Sequence, residues 1–324
     1  MLGAAIEAQL DVAQMTAARN TSPASKIPGK SLGEPERIAP ERIAKVIARA
    51  GLASRREAEA WIAAGRVAVN GKVLASPALN VTERDRVTVD GKPLPLRERT
   101  RLFRYHKPRG LITTHRDERG RPTLFDALPR DLPRLISVGR LDLTSEGLLL
   151  LTNDGGLARV LELPETGWLR RYRVRAHGRV DPIALARLER GITIDGISYG
   201  PIEAKLDREQ GDNIWLTLAL REGKNREIRK VLEHLGLKVN RLIRISFGPF
   251  QLGDLPRAHI DEIKTRTLRE QLGERLAREA GCDFDAPVRE PELKSPPPSR
   301  GRPAREAQVP SPTLPRKGRR RPRR

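Results

Sequence analysis

Gly139-Arg140-Leu141-Asp142-Leu143-Thr144-Ser145-Glu146-Gly147 runs directly into four leucines at 148–151 and then into Thr152-Asn153-Asp154-Gly155-Gly156. The leucine run has the length of a strand buried on both faces, and Gly147 and the Asn153-Asp154-Gly155-Gly156 cluster bound it. Asp142 therefore sits on the loop that feeds a core strand, two residues after Arg140. A nearby cation favours the ionised carboxylate, and an ionised carboxylate on a rigid support suits a nucleophile. Arg140 and Asp142 can equally form an ordinary loop ion pair, which is common and weak. The two residues alone leave both readings open.

The longer string narrows the choice. It resembles the signature loop of the RNA pseudouridine synthases, in the ribosomal RNA branch: Gly-Arg-Leu-Asp, two variable residues, Thr or Ser, one residue, Gly and a leucine run, with Ser145 in the Thr/Ser place. The resemblance implies that Asp142 is the nucleophile of uridine isomerisation, in which the base is detached from ribose at nitrogen and rejoined at carbon. It implies no metal and no organic cofactor.

Composition points toward a polyanionic partner. The 324 residues should hold two domains plus tails, at roughly 150 residues per domain. A formal net charge of +21 exceeds what solubility needs and suits nucleic acid or an acidic membrane surface. Nucleic acid is preferred, because no apolar run approaches the ~20 residues of a membrane span. The N-terminus carries Glu7 and Asp11 and lacks a signal peptide's apolar stretch, so a cytoplasmic protein is expected. Cys282 is the single cysteine, and the five histidines are scattered without zinc-ligand spacing. Aromatic residues make up 3%, which argues for phosphate and shape contacts over stacking as the main mode of RNA binding.

In chain order, residues 1–36 mix Ala, Ser, Pro, Gly and charge and read as a flexible extension. Ile43, Val46, Ile47 and Ala50 follow helical spacing up to Gly51. Ser54-Arg55-Arg56-Glu57 has capping-box spacing for a second helix carrying Ala58, Trp61 and Ile62 and closed by Gly65. The period then changes to two, with Val67 and Val69, the Asn70-Gly71 hairpin signal, and a strand at 86–89. This unit, bounded at 37–96, resembles the S4 RNA-binding domain through Ser54 to Ala58, Gly65 to Val69 and Asn70-Gly71. Lys45, Arg49, Arg55, Arg56, Arg66 and Lys72 are its candidates for neutralising phosphates.

The larger domain is expected over 101–265. A strand at 102–105 leads to Lys107-Pro108-Arg109-Gly110, a loop that recurs in the synthase family near the RNA, which makes Lys107 an RNA-binding candidate. Residues 122–126 suggest a short helical turn, 135–138 a strand, and Asp154 a cap for a helix carrying Leu157, Val160 and Leu161. The run at 170–176 alternates, placing Tyr172, Val174 and Ala176 on one face and four arginines on the other. By the resemblance, Tyr172 packs on the target uracil. A helix near 181–190 and strands at 192–194 and 214–218 follow.

Arg221-Glu222-Gly223-Lys224-Asn225-Arg226-Glu227-Ile228-Arg229-Lys230 opens a helix whose Ile228, Val231, Leu232 and Leu235 share a face, ended by Gly236. Cations in a first helical turn gain nothing from the macrodipole, so their concentration there suggests an anionic neighbour. The string resembles the family's Glu-Gly-Arg-Asn-Arg-x-Val-Arg motif, with Lys224 and Ile228 as replacements. That implies Arg229 as the cation paired with Asp142, with Lys224 and Arg226 holding RNA and Arg140 either pairing locally or entering the RNA stack. A strand at 241–245 offers Leu242 or Ile245 against the reacting nucleotide. A helix is expected over about 261–280, closing a terminal segment at 266–285. From residue 286 to 324 Pro, Arg, Lys and Ser dominate, and seven of the last nine residues are cations, the composition of a disordered basic tail.

The expected architecture is α+β: an S4-like module, then a catalytic domain with a largely antiparallel mixed sheet. Site-specific pseudouridine formation in ribosomal RNA is the expected function, with Asp142, Tyr172 and Arg229 as catalytic residues and a monomer as the acting form. Residues 123–126, 225–227 and the basic extension look most like the large-subunit group B, making 23S rRNA the preferred target and 16S rRNA the alternative. A non-catalytic S4 ribosome-assembly factor is the rival that would not need the Asp142 loop. An S4-containing methyltransferase would need a glycine-rich cofactor loop, which the sequence lacks.

Overall fold

The computed structural model describes residues 40–289. The extension expected over 1–36 and the tail from residue 290 onward lie outside the described residues.

The first domain comprises β1 (Glu41–Arg42), α1 (Ile43–Arg49), α2 (Arg55–Ala63), β2 (Val67–Val69), β3 (Lys72–Val73), β4 (Asn80–Val81), β5 (Val87–Val89) and β6 (Lys92–Pro93). The capping box is present: the Ser54 hydroxyl accepts from Glu57 N at 3.1 Å, and Ser54 N donates to the Glu57 carboxylate at 2.7 Å. Asn70-Gly71 and Asp90-Gly91 both have positive φ at the two turn positions, the backbone that two-residue hairpins prefer. These turns order the sheet β3-β2-β5-β6. Ile43, Ile47, Ala58, Ile62 and Val67 form its fully buried centre against α1 and α2.

The second domain contains β7 (Leu102–Lys107), β8 (Ile136–Val138), β9 (Glu146–Thr152), α3 (Gly155–Glu162), β10 (Arg170–His177), α4 (Pro182–Arg187), β11 (Ile192–Ile194), β12 (Ile197–Tyr199), β13 (Ile202–Gln210) and β14 (Asn213–Leu220). α5 (Glu227–His234), β15 (Lys238–Phe247), β16 (Phe250–Gln251), β17 (Ile260–Ile263) and α6 (Thr265–Ala280) complete it. Nine strands form one sheet along β13-β14-β10-β15-β9-β7-β17, with β16 on β15 and β8 on β9. Every pairing in it is antiparallel except β9 with β15. Strand β9 is buried at all seven positions, because α3 and α6 cover one face through Leu148 and Leu150 and a second cluster covers Leu149 and Leu151 on the other. Asp154 caps α3 by accepting from Gly156 N at 2.7 Å.

Three expectations change. Residues 260–263 are an edge strand on β7, not the start of the last helix, because pairing with 102–105 satisfies their backbone. The helix begins at Thr265 and buries Leu268, Leu272, Leu276 and Ala280. Arg170 does not join the exposed arginine face. It shares the Tyr172 side, half-buried, with its guanidinium 4.7 Å from the Phe247 ring centre. Arg171, Arg173 and Arg175 are exposed as expected. Residues 286–289, read as the start of a disordered tail, lie back on the joint between domains: Arg99 N donates to Pro287 O at 3.3 Å and Arg289 Nη1 to Ala50 O at 3.2 Å.

The two domains meet at Asp154, a buried carboxylate that accepts from Arg97 Nη2 at 2.6 Å and Thr100 Oγ1 at 2.9 Å and lies 3.6 Å from Arg49 Nη2.

Gly147 has φ +105°, and a Cβ built there would overlap the Arg244 carbonyl and lie 2.7 Å from its amide nitrogen. The parallel crossing of β9 and β15 therefore requires glycine at this position. Gly147→Ala should destabilise the fold by about 3 kcal/mol or more, read as a lowered urea midpoint, since backbone must move where the two central strands cross. A midpoint within about 0.5 kcal/mol of wild type would show that the crossing relaxes freely.

Candidate active site

The loop from Leu141 to Ser145 has no repeating secondary structure, so each of its carbonyls needs a partner of its own if the loop is to stand still. All five have one. Leu141 O accepts from Thr113 Oγ1 at 2.9 Å, Leu143 O from Gly110 N at 2.8 Å, and Thr144 O from Arg229 Nη2 at 3.3 Å. Asp142 O accepts from Ser145 N at 3.0 Å and from Lys107 Nζ at 3.1 Å, and Ser145 O from Lys107 Nζ at 3.0 Å. Three separate segments thus pin the loop. The Asp142 side chain, about one-third exposed, projects from that frame beside the Arg226 guanidinium, 3.6 Å from Oδ2 to Nη1.

Lys107 differs from its expected role. It is fully buried at the end of β7, and its ammonium donates to the carbonyls of Pro108, Asp142 and Ser145 at 3.0–3.1 Å. It cannot reach an RNA phosphate from there. Burial pushes its pKa down to about 8, against the pull of Asp142 and Glu146. Three carbonyl acceptors match the three N–H donors of an ammonium, so at neutral pH Lys107 holds the loop in its charged form.

The cation facing Asp142 also differs. Arg226, expected to hold RNA, makes the contact within 4 Å. It occupies the N-cap of α5 with φ +51°, a left-handed turn that sends its side chain back toward the loop. Arg229 lies behind it, half-buried, donating to Thr144 O and at 3.4 Å to Val239 O. Burial first, and then the like charge of Arg226, lower the Arg229 pKa, while Asp142 raises it. Asp142 and Arg229 therefore share one electrostatic environment without a direct ion pair. Arg140 is exposed and has no salt bridge among the described residues, so the local Arg140–Asp142 pair does not form.

Tyr172 is half-buried in the middle of the sheet, opposite Leu218 on β14 and Arg244 on β15. It packs against both core clusters on its face, one of which contains Leu141, the neighbour of Asp142. Leu242 is buried in one of these clusters, and Ile245 is half-buried.

Among the other expected RNA contacts, Arg55 and Arg56 are exposed and make no salt bridge within the described residues. Arg66 is engaged by Asp90, Nε to Oδ1 at 2.9 Å, and lies over the Trp61 ring. Lys45 pairs with Glu41 at 2.6 Å. Lys224 bridges Glu222 at 2.6 Å and Ser198 O at 2.7 Å.

Two buried acids went unread in the sequence. Glu146, at the head of β9, is 2.7 Å from Arg241 Nε and 3.1 Å from Arg257 Nη2. Burial raises its pKa, but the Arg241 hydrogen bond and the charges of Arg241 and Arg257 bring it below the usual value. Its signal was a charge placed first in an otherwise apolar run. Glu227 accepts from Lys224 N at 2.9 Å while Glu227 N donates to Lys224 O at 3.2 Å, which folds the 224–226 turn that aims Arg226. Burial pushes its pKa up to about 6.

Lys107→Met should lower stability by about 1–3 kcal/mol in urea unfolding, because three inward carbonyls would be left without their donor. An unchanged midpoint would show that the ammonium is dispensable to the loop. Glu227 keeps its proton longer in the fold than in the unfolded chain, where its ordinary value is 4.5. Wild-type stability should therefore fall, relative to Glu227→Gln, as pH rises from about 4.5 to 6, by up to about 2 kcal/mol, and stay level above that window. Parallel stability curves for the two proteins between about pH 4.5 and 7 would refute the buried ionisation.

Residues 41–87 match the family described as S4 domain, and residues 101–234 the family described as RNA pseudouridylate synthase. An uncharacterized RNA pseudouridine synthase of Rickettsia prowazekii is 46% identical over 231 residues, 71% of this chain and 97% of that protein. Ribosomal large subunit pseudouridine synthase B of Haemophilus influenzae is 41% identical over 261 residues, 78% of this chain and 73% of that protein. A crystal structure of a pseudouridylate synthase, 26% identical, superposes with a TM-score of 0.51 and covers 72% of this chain and 100% of its own. With an S4 domain ahead of a mixed-sheet domain and relatives of this identity along more than two-thirds of its length, the chain belongs to the RNA pseudouridine synthase family.

Proposed function

We propose that this pseudouridine synthase acts on one or a few uridines of large-subunit ribosomal RNA, with Asp142 as the nucleophile. The observation that carries the assignment of Asp142 is its placement: a carboxylate on a loop whose five carbonyls are all anchored, facing Arg226 with Arg229 behind. The large-subunit target is supported by the likeness to the Haemophilus influenzae synthase and to ribosomal large subunit pseudouridine synthase B of Pasteurella multocida, 40% identical over 259 residues.

A stacked uridine cannot expose its ring, so the nucleotide must swing outward at a cost of about a few kcal/mol, offset by phosphate contacts. The bond between uracil N1 and ribose C1′ breaks, the base turns, and a bond forms between C5 and C1′. C5 gives up its proton and N1 ends protonated, so the product is an isomer and no water is consumed. Asp142 acts on the extruded nucleotide, Tyr172 stacks on the uracil, and Arg226, with Arg229 behind it, places positive charge beside the carboxylate. Arg140, Lys224, Arg55 and Arg56 contact RNA, with Arg66 and Lys45 contributing from within their ion pairs. The enzyme works as a cytoplasmic monomer; no helix among the described residues is long and apolar enough to cross a membrane.

Mapping pseudouridines in ribosomal RNA from cells lacking the gene, complemented with wild type or Asp142→Asn, tests this reading. At least one large-subunit site should disappear on deletion, return with wild type and stay absent with the variant. Loss confined to small-subunit RNA would move the target to 16S. Survival of every site, or full restoration by Asp142→Asn, would favour a non-catalytic S4 assembly factor.

A further inference from the structure

A cleft of about 580 Å³ separates the S4 domain from the catalytic domain, away from the residues that hold the Asp142 loop. The S4 helices contribute Lys45, Arg49 and Arg55 to it, and the catalytic domain contributes His115, Arg134 and Arg159. Five of the lining side chains are permanent cations, and Glu162 is the one lining carboxylate, already occupied by Gly139 N at 2.8 Å. Two of the cations, Arg55 from α2 and Arg159 from α3, are exposed and have no salt bridge among the described residues. Arg134 meets Glu57 across the gap at 3.8 Å, with half of the Glu57 side chain exposed. An ion pair that long and that wet is weak, and a better anion can replace it.

We infer that this cleft is a composite docking site for the RNA sugar–phosphate backbone, built jointly by Arg55 of the S4 domain and by Arg134 and Arg159 of the catalytic domain. The inference rests on the reading of the enzyme as an RNA-modifying one. Charge complementarity identifies the occupant: cations from two domains face each other across an open channel, which fits a continuous polyanion better than an isolated ion. A phosphate entering between the domains takes Arg134 from Glu57 and gives Arg55 and Arg159 their missing partner. The phosphate grip reads no base, so its consequence is geometric. It fixes how far along the RNA the S4 domain holds on relative to the nucleotide presented to Asp142.

Binding of a large-subunit rRNA transcript to the full-length protein, measured across a salt series, tests this. Arg159→Glu and Arg134→Gln should each weaken binding about 3- to 10-fold near 0.1 M salt. Each should also make the slope of log affinity against log salt shallower by about one for every phosphate no longer neutralised. Arg208→Glu, an exposed cation on β13 outside the cleft, controls for net charge. Effects no larger than those of Arg208→Glu, in affinity and in slope, would overturn the inference. Arg159 is an exposed helix position, so its variant keeps the test valid if Arg134→Gln unfolds in a parallel melt. Pseudouridine formation by the wild type on the same transcript is scored separately: its absence would sink the proposed target while leaving the cleft measurement intact.

Discussion

Five successive carbonyls, Leu141 to Ser145, must each find a donor inside a domain that offers no neighbouring strand there, and Lys107 is the group that makes this feasible. Burying an ammonium is costly unless its donors are fully used. Here all three are, two of them on the loop itself. Main-chain anchoring leaves the Asp142 carboxylate free of structural duty. A loop pinned through its side chains would have consumed the group that chemistry needs, whereas this one uses backbone acceptors and keeps the carboxylate one-third exposed.

The sheet supplies the second constraint. Strand β9 follows the Asp142 loop, β15 follows α5, and β10 carries Tyr172, and the three lie side by side in the order β10-β15-β9. Residues distant in sequence converge because of the parallel pairing of β9 with β15, which in turn requires the bare backbone of Gly147 against Arg244. Glu146, one residue earlier, ties the same crossing to Arg241 and Arg257. The acid, the tyrosine and the arginine-bearing helix are thus positioned by one strand crossing.

Elements with a strong local signal were legible in the sequence: the capping box at Ser54, the Asn70-Gly71 hairpin, the leucine strand and the apolar face of α5. Strand β13 was not read although Ile202, Ala204 and Leu206 alternate with Glu203, Lys205 and Asp207: the small Ala204 thins the apolar face, only Ile202 is fully buried, and the alternation ends at the irregularity between Leu206 and Arg208. Strand β17 carries charged neighbours beside a helix, and only pairing with a distant β7 makes it extended. The roles around Asp142 were legible as a set but not individually. Whether a lysine is sealed inside or faces solvent depends on what covers β7. The exchange of Arg226 for Arg229 depends on one left-handed φ that residue type does not announce. Arg170 lies on the Tyr172 side by alternation itself, since residues 170, 172, 174 and 176 share one face of a strand and only Arg171, Arg173 and Arg175 fall on the other.

The joint between domains combines a tight end and a loose one. At Asp154, a buried carboxylate collects Arg97, Thr100 and the α3 amide, and burial shields these contacts from salt. Glu57 and Arg134 lie on the cleft side with both side chains partly wet, so salt screens them and an anion competes for the arginine. The Glu57–Arg134 pair shares no residue with the Asp154 contacts, so exchanging Glu57 for another anion breaks none of them. An interface with one fixed edge and one weakly latched edge suits a polymer that must enter from the side, because the protein need not release its structural contacts to admit it. The catalytic loop is braced from Thr113, Lys107 and Arg229, all within its own domain, so an anion that displaces Glu57 from Arg134 at the cleft touches none of the contacts that hold Asp142 in place.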